Sequence, residues 1–186
     1  MDENGVRRRV ERARDGDGDA FGALFEEFRP DVLRLCRRLL GDADAEDAVH
    51  EAFLRAQSRL DQFDLGRPFR PWLLTVASRL ALDRLRRRRT ERHLFSDHDG
   101  DTDTWPSPTP SPLQGELDAD LRRQVVAAVD ALPDRYRVPV VLRYFAELPY
   151  EAVAELLDVS KNQVATLLFR ARRRLRESLA DLSEDA

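Results

Sequence analysis

The 186-residue sequence has few of the residues that build disulfide-linked or metal-bound scaffolds. It contains one cysteine, Cys36, and three scattered histidines, so an internal disulfide is excluded and no zinc-ligand spacing occurs. Glycine-rich phosphate loops and nucleophile elbows are also missing. We therefore expect no catalytic residue, no metal and no other cofactor.

Long apolar runs are equally scarce. No window approaches the roughly 18 uninterrupted apolar residues that a membrane span needs. The N-terminal sequence MDENGVRRRVER lacks the apolar core of a secretory signal. We expect a cytoplasmic protein that does not insert into a membrane.

The charges nearly balance, but they are unevenly distributed. The net charge of -4 argues against a nucleic-acid partner when it is taken as an average. Residues 67–92, however, contain nine arginines and two acids, and residues 161–176 contain one lysine, five arginines and no acid. Between these blocks, residues 93–120 contain seven acids and no basic residue. Two basic blocks thus flank an acidic segment.

The acidic segment also contains WPSPTPSPLQG at residues 105–115, where four prolines prevent a helix. On both sides of it apolar residues recur at helical spacing, and no stretch alternates for long enough to indicate a strand. The sequence therefore predicts an all-α protein with two small helical domains. Residues 18–92 form a four-helix domain, residues 118–180 form a helix-turn-helix domain, and residues 93–117 form a flexible acidic, proline-rich linker.

The first half has the pattern of four helices. The apolar face that starts at Phe21 is followed by Pro30, where we expect the first helix to end, and the second helix stops at Gly41. Acidic residues suit the start of the third helix, and Pro71 lies in the first turn of the fourth. The fourth helix carries charged residues on its outer side at i, i+4 and i+7, namely Arg79, Asp83 and Arg86.

Residues 148–179 have the pattern of a helix-turn-helix. Pro149 can open a short helix, Asp158 tolerates the left-handed conformation of a tight turn, and Ser160 is a suitable N-cap for a second helix. The second helix has an outward face whose side chains suit base edges and phosphates: Gln163, Thr166, Arg170 and Arg173. An ordinary amphipathic helix pair with solvated arginines is the alternative interpretation.

Three segments together resemble a known family. They are DAEDAVHEAFLRA at 44–56, FDLGRPFRPWLLTVASRLALDRLRRRR at 63–89 and LPYEAVAELLDVSKNQVATLLFRARRRLRE at 148–177. Their order and spacing resemble those of the bacterial extracytoplasmic-function sigma factors of the sigma-70 family, over about residues 18–180. The resemblance implies a subunit that binds core RNA polymerase, recognises the -35 and -10 elements of promoter DNA and initiates transcription of a specific regulon. It also implies an anti-sigma factor as a partner.

The resemblance assigns three groups of residues. The polymerase-binding group comprises Asp47, His50, Glu51 and Leu54. The group at the -10 element comprises Phe63, Arg79, Asp83, Arg86 and Arg87. The group at the -35 element comprises Lys161, Gln163, Thr166, Phe169, Arg170 and Arg173. Trp72 could stack on a base, although packing in the core is the favoured interpretation.

Two other classes of function remain open at the level of the sequence. A helix-turn-helix regulator would bind its operator without polymerase and use its first domain as a sensor. A purely helical interaction protein would have solvated arginines and no dependence on DNA.

Overall fold

The computed structural model describes residues 3–88 and 119–184, and all regular structure within these ranges is helical. This confirms the predicted all-α class. The predicted linker, residues 93–117, lies outside the described residues. Contacts divide the described chain into two compact units, residues 3–88 with 144–148 and residues 119–143 with 149–184. None of the helices in these ranges is long and apolar enough to cross a bilayer.

The first unit contains helices α1 (Glu3–Arg14), α2 (Gly18–Leu40), α3 (Asp42–Gln57) and α4 (Phe69–Arg88). A single 3-10 turn, Leu60–Gln62, lies between α3 and α4. Helix α2 packs against the other three helices. The apolar face of α3 consists largely of small residues that are fully buried, Ala45, Ala48, Ala52 and Ala56. Side chains of this size allow α3 to lie close to its neighbours.

The predicted helix end near Pro30 is wrong, because α2 continues from Gly18 to Leu40. An interior proline removes one helical hydrogen bond and costs about 3 kcal/mol. Pro30 lies on the exposed side of α2, as does Glu26, whose carbonyl loses the bond and can turn to water. Phe28 and Val32 on either side are both buried. Burial of one continuous apolar face therefore outweighs the local cost of the proline.

Helix α1 is absent from the sequence prediction, which begins the first domain at residue 18. Its apolar signal is short, because only Val6 and Val10 are buried in an otherwise charged segment. Such a pair is too weak a periodicity to predict a helix. Gly16, with φ of 91°, makes the turn into α2, and Asp17 caps α2 by accepting a 3.0 Å hydrogen bond from the Ala20 N–H. The first unit thus has four helices, but only three of them lie within residues 18–92, where four were predicted, because α2 joins two of the predicted helices.

The second unit contains α5 (Ala119–Ala131), α6 (Asp134–Val140), α7 (Tyr150–Leu157) and α8 (Lys161–Glu184). A π-helical turn, Val141–Phe145, follows α6. Helix α8 packs against α5, α6 and α7 and supplies the centre of the core through Val164, Leu167, Leu168 and Ala171. The α7–α8 pair is the predicted helix-turn-helix.

Candidate functional site

The turn between α7 and α8 is fixed by a reciprocal cap. Asp158 adopts the predicted left-handed conformation, with φ of 57° and ψ of 48°. The Ser160 hydroxyl accepts a 3.2 Å hydrogen bond from the Gln163 backbone N–H, and the Gln163 side-chain carbonyl accepts a 2.7 Å bond from the Ser160 N–H. This is a capping box. It satisfies two backbone donors and holds the first turn of α8 in a defined position.

The capping box changes the role expected for Gln163. Its side-chain carbonyl belongs to the cap, so only its NH₂ group is left to meet an external partner. Lys161 forms a 2.7 Å ion pair with Glu151, whose pKa is lowered chiefly by the hydrogen bond from Lys161. Both of these side chains are exposed, and such surface pairs contribute little to stability. A phosphate could therefore replace Glu151 as the partner of Lys161.

The remaining predicted residues of α8 lie away from its buried face. Arg173 is exposed and lies 3.4 Å from Glu177, whereas Thr166, Phe169 and Arg170 are half-buried. The Thr166 hydroxyl donates a 2.9 Å hydrogen bond to the Asn162 carbonyl. Helix α8 thus presents a polar, arginine-bearing face opposite the residues that form the core.

The arginines of α4 fall into two groups that the sequence does not distinguish. Arg84 donates a 2.5 Å hydrogen bond to Glu51 on α3. Arg88 donates a 3.1 Å bond to the Leu40 carbonyl at the end of α2 and forms an ion pair with Asp44. Arg70 donates a 2.5 Å hydrogen bond to Asp31 on α2. These three side chains hold neighbouring helices together. The second group lies on the outer face of α4 and is exposed: Arg79, Arg86 and Arg87.

Glu51 lies at the centre of an ion-pair network between α3 and α4. Its carboxylate accepts hydrogen bonds from Arg84 at 2.5 Å and from Arg55 at 2.6 Å. The hydrogen bond from Arg84 has the largest effect in lowering the pKa of Glu51, and the hydrogen bond from Arg55 lowers it further. Arg55 also lies 3.9 Å from Asp83, which in turn lies 4.0 Å from Arg86. Glu51, predicted to contact polymerase, and Asp83, predicted to contact DNA, are therefore linked through Arg55.

The outer face of α3 combines charge with an exposed apolar side chain. Asp47 and His50 are exposed, and Leu54 is 63% exposed. The His50 ring lies 5.8 Å from the ring of Phe25 on α2. Asp47, His50 and Leu54 are three or four positions apart, so they share one outward surface of α3.

Phe63 lies in the core, contrary to the prediction that it contacts DNA directly. Its side chain is 4% exposed, and its ring lies 5.5 Å from Phe69 and 5.0 Å from Trp72. Phe69 also packs on Phe28 of α2, at 5.4 Å. A ring enclosed in this way cannot stack on a base, so Phe63 anchors the segment that follows it. The favoured core interpretation of Trp72 agrees with these ring contacts.

Sequence reasoning missed Arg14, Arg84 and Arg88, whose partners are 33 or more positions away along the chain. Helical spacing predicts only pairs three or four residues apart, such as Glu51 and Arg55. No local signal in the sequence distinguishes an arginine that joins two helices from one that faces water.

The Glu51 network predicts a pH dependence of stability. The folded pKa of Glu51 lies below the ordinary value of 4.5, so its ion pairs stabilise fully above that pH and are lost as the pH falls through the lowered pKa. In Glu51→Gln this contribution is absent at every pH. We expect the thermal unfolding midpoints of wild type and Glu51→Gln, measured by circular dichroism, to differ most near neutral pH and to converge in acid.

Glu46→Gln is the matched control for that measurement, since Glu46 is on the same helix and forms an exposed 2.7 Å ion pair with Arg29. Its midpoint should stay close to that of the wild type near neutral pH. If wild type and Glu51→Gln differ equally at all pH values, the charge of Glu51 does not stabilise the α3–α4 contact.

Comparison with known proteins identifies both units. Residues 24–91 match the model of sigma-70 region 2, and residues 122–175 match the model of sigma-70 region 4. The chain is 32% identical to the ECF RNA polymerase sigma factor SigW of Bacillus subtilis, over 95% of this chain and 98% of that protein.

Two solved structures have a similar fold. The structure of CnrH in complex with the cytosolic domain of CnrY aligns with a TM-score of 0.59 at 24% identity, covering 98% of this chain and 99% of that one. The sigma factor RpoE in complex with the anti-sigma factor NepR, from Bartonella quintana, aligns with a TM-score of 0.56 at 24% identity, covering 83% of this chain and 95% of that one. Both matched regions, together with the SigW relative, show that the chain belongs to the extracytoplasmic-function sigma factors of the sigma-70 family.

Proposed function

We propose that the two units divide promoter recognition between them. The predicted domain of residues 18–92, which falls largely in the first unit, binds core RNA polymerase and recognises the -10 element. The predicted domain of residues 118–180, which falls largely in the second unit, recognises the -35 element, and residues 93–117 link the two domains. The proposal rests on one observation: each unit has one helix with arginines on its outward face, α4 in the first unit and α8 in the second. Phosphate contacts from two separate helices would hold two separate stretches of one promoter.

Helix α8 suits the major groove of duplex DNA. The cap at Ser160 and Gln163 fixes its first turn, and the polar face that follows carries Thr166 and Arg170 where a recognition helix meets base edges. Lys161 and Arg173, at either side of that face, would contact phosphates. Phe169 and the free NH₂ group of Gln163 complete this proposed contact set.

Helix α4 and the segment before it suit single-stranded DNA. Arg79, Arg86 and Arg87 are exposed and would hold the phosphates of the opened strand. Asp83, whose side chain is 48% exposed, can accept a hydrogen bond from the edge of an extruded base. Phe63 supports this region from the core. The segment 64–68 is mostly exposed and would contact the base.

The α3 face would dock on polymerase through Leu54, with Asp47 and His50 as polar contacts around it. Glu51 would contribute both through its own charge and by holding α3 against α4. The polymerase supplies the chemistry of RNA synthesis, so the chain acts through binding in the cytoplasm without an active site of its own. An anti-sigma factor that covers these faces is the expected regulatory partner, in keeping with the complex of RpoE with the anti-sigma factor NepR.

One experiment distinguishes the proposed function from the competing one, a helix-turn-helix regulator that needs no polymerase. The next two results are those expected of a sigma factor. Run-off transcription of a genomic promoter library with added core polymerase should give specific transcripts only when this chain is present. The isolated chain should bind the selected promoters weakly. Tight operator binding without polymerase, or failure to bind core polymerase, would instead favour the regulator.

Leu54→Asp should weaken binding to core polymerase by a factor of about ten or more, because a charge would replace an apolar side chain at the centre of the contact. Asp47→Ala should have a smaller effect. Titration of core polymerase with a fluorescently labelled chain measures both. Leu121→Asp is the control, since Leu121 is 41% exposed on α5 and lies outside the proposed face. Equal loss of affinity in both leucine variants would show that Leu54 does not contribute specifically to the interface.

Arg170→Ala should lower discrimination at one position of the -35 element by about 1–3 kcal/mol if Arg170 reads a base. Arg173→Ala should weaken binding to all sequences alike and reduce its salt dependence. Competitive binding of the holoenzyme to promoters with single changes in the -35 element measures the difference. Arg176→Ala, an exposed change on the same helix beyond the proposed face, should leave the preference intact. An unchanged preference in Arg170→Ala would assign Arg170 to the phosphates.

A further inference from the structure

Arg14, the last residue of α1, reaches across the first unit to the segment between α3 and α4. Its Nε donates a 2.8 Å hydrogen bond to the carbonyl of Leu60, and a terminal NH₂ donates a second bond to the carbonyl of Phe63. The guanidinium is half-buried, and both acceptors are backbone groups. Hydrogen bonds from a charged donor are stronger than those between neutral groups.

The two carbonyls lie at the two ends of the 3-10 turn, whose own hydrogen bond runs from the Phe63 N–H to the Leu60 carbonyl at 3.1 Å. The planar guanidinium therefore binds the turn as a fork, with one bond at each end. It fixes the direction in which the chain leaves the turn. A lysine would offer a point charge without this two-pronged geometry.

The chain that leaves the turn is a short surface loop, residues 64–68, between the buried side chains of Phe63 and Phe69. Within it, Asp64 accepts a 2.9 Å hydrogen bond from the Gly66 N–H through its side chain and a 3.0 Å bond from the Arg67 N–H through its carbonyl. The loop is thus preformed locally, and Arg14 fixes it to the rest of the unit.

Helix α1 also shapes the space beside this loop. A groove of about 220 Å³ is lined on one side by residues of α1, including Asn4 and Arg7, and on the other by Leu65, Gly66 and Arg67 of the loop. Val6 and Val10 bury α1 against the unit, so this wall of the groove is held in place. Helix α1 lies outside residues 24–91, the part of the chain that matches sigma-70 region 2.

We propose that α1, which precedes the predicted domain of residues 18–92, contributes to recognition of the -10 element, and that Arg14 is a positioning residue that sets the 64–68 loop for capture of an unpaired base. This inference rests on the proposed function of that loop. Capture of an extruded base requires the loop to be in place before the base arrives, because any ordering at that moment costs binding energy. Arg14 holds the loop through the backbone carbonyls of Leu60 and Phe63.

The experiment uses holoenzyme assembled from core polymerase and the full chain, on a promoter that the wild-type holoenzyme opens. The probe is that promoter with 2-aminopurine at single positions of the -10 element, whose fluorescence rises as each base unstacks. Arg14→Ala should slow the rise by about tenfold or more, because it removes two charge-assisted hydrogen bonds and the loss of one is already worth about that factor. It should also reduce discrimination among -10 variants while leaving -35 discrimination and polymerase affinity unchanged. Arg14→Gln, which offers a single uncharged NH₂ group in place of the charged guanidinium fork, should be intermediate.

Arg12→Ala is the matched control, because Arg12 is exposed near the end of α1 and pairs with Asp17 rather than with the loop. Thermal unfolding of each chain measures any general loss of stability. If Arg14→Ala and Arg14→Gln keep wild-type opening and -10 discrimination, or if Arg12→Ala causes the same losses, the positioning role is wrong. If wild-type holoenzyme opens no promoter, the proposed function itself fails, and this outcome is distinguishable from the other two.

Discussion

The close packing of α3 against α2 and α4 determines most of what the first unit presents to its partners. Ala45, Ala48, Ala52 and Ala56 form one fully buried row, and their small side chains allow the helices to approach. This approach brings Glu51 of α3 within 2.5 Å of Arg84 on α4. Helix α3, proposed to bind polymerase, and helix α4, proposed to bind DNA, are consequently joined by buried apolar contact and by ion pairs along the edge of that contact.

The same packing divides the arginines between structural and binding roles. An arginine that lies at a helix contact, such as Arg84 or Arg88, satisfies a carboxylate or a carbonyl of a neighbouring helix. An arginine on the outer face, such as Arg87, extends into solvent, where a phosphate can approach it. The local charge of the basic block therefore overstates the positive charge available to DNA, because part of it is neutralised within the unit.

Sequence reasoning predicted what depends on local periodicity and on short-range hydrogen bonds. The all-α class, the stop at Gly41, the left-handed Asp158 and the Ser160 cap all follow from residues within a few positions of one another. The break at Pro30 was predicted wrongly because the gain from burying both halves of α2 is a property of the packed unit. Helix α1 was missed because two valines are too few to reveal a face, and burial of Phe63 depends on partners from α2 and α4.

The two proposed DNA-reading elements differ in how they are held, and the difference fits their tasks. A recognition helix enters a groove that already exists in the duplex, so it needs a rigid start and a fixed face, which the cap and core of α8 provide. An unpaired base has no fixed position before the strands separate, so the loop that captures it must be held in a defined conformation by the protein itself. In this chain two features hold the exposed loop 64–68 in its conformation. Arg14 binds the backbone carbonyls before it, and the buried side chains of Phe63 and Phe69 lie on either side of it. The loop side chains can then vary to suit different bases while the anchor, which binds only backbone, stays the same.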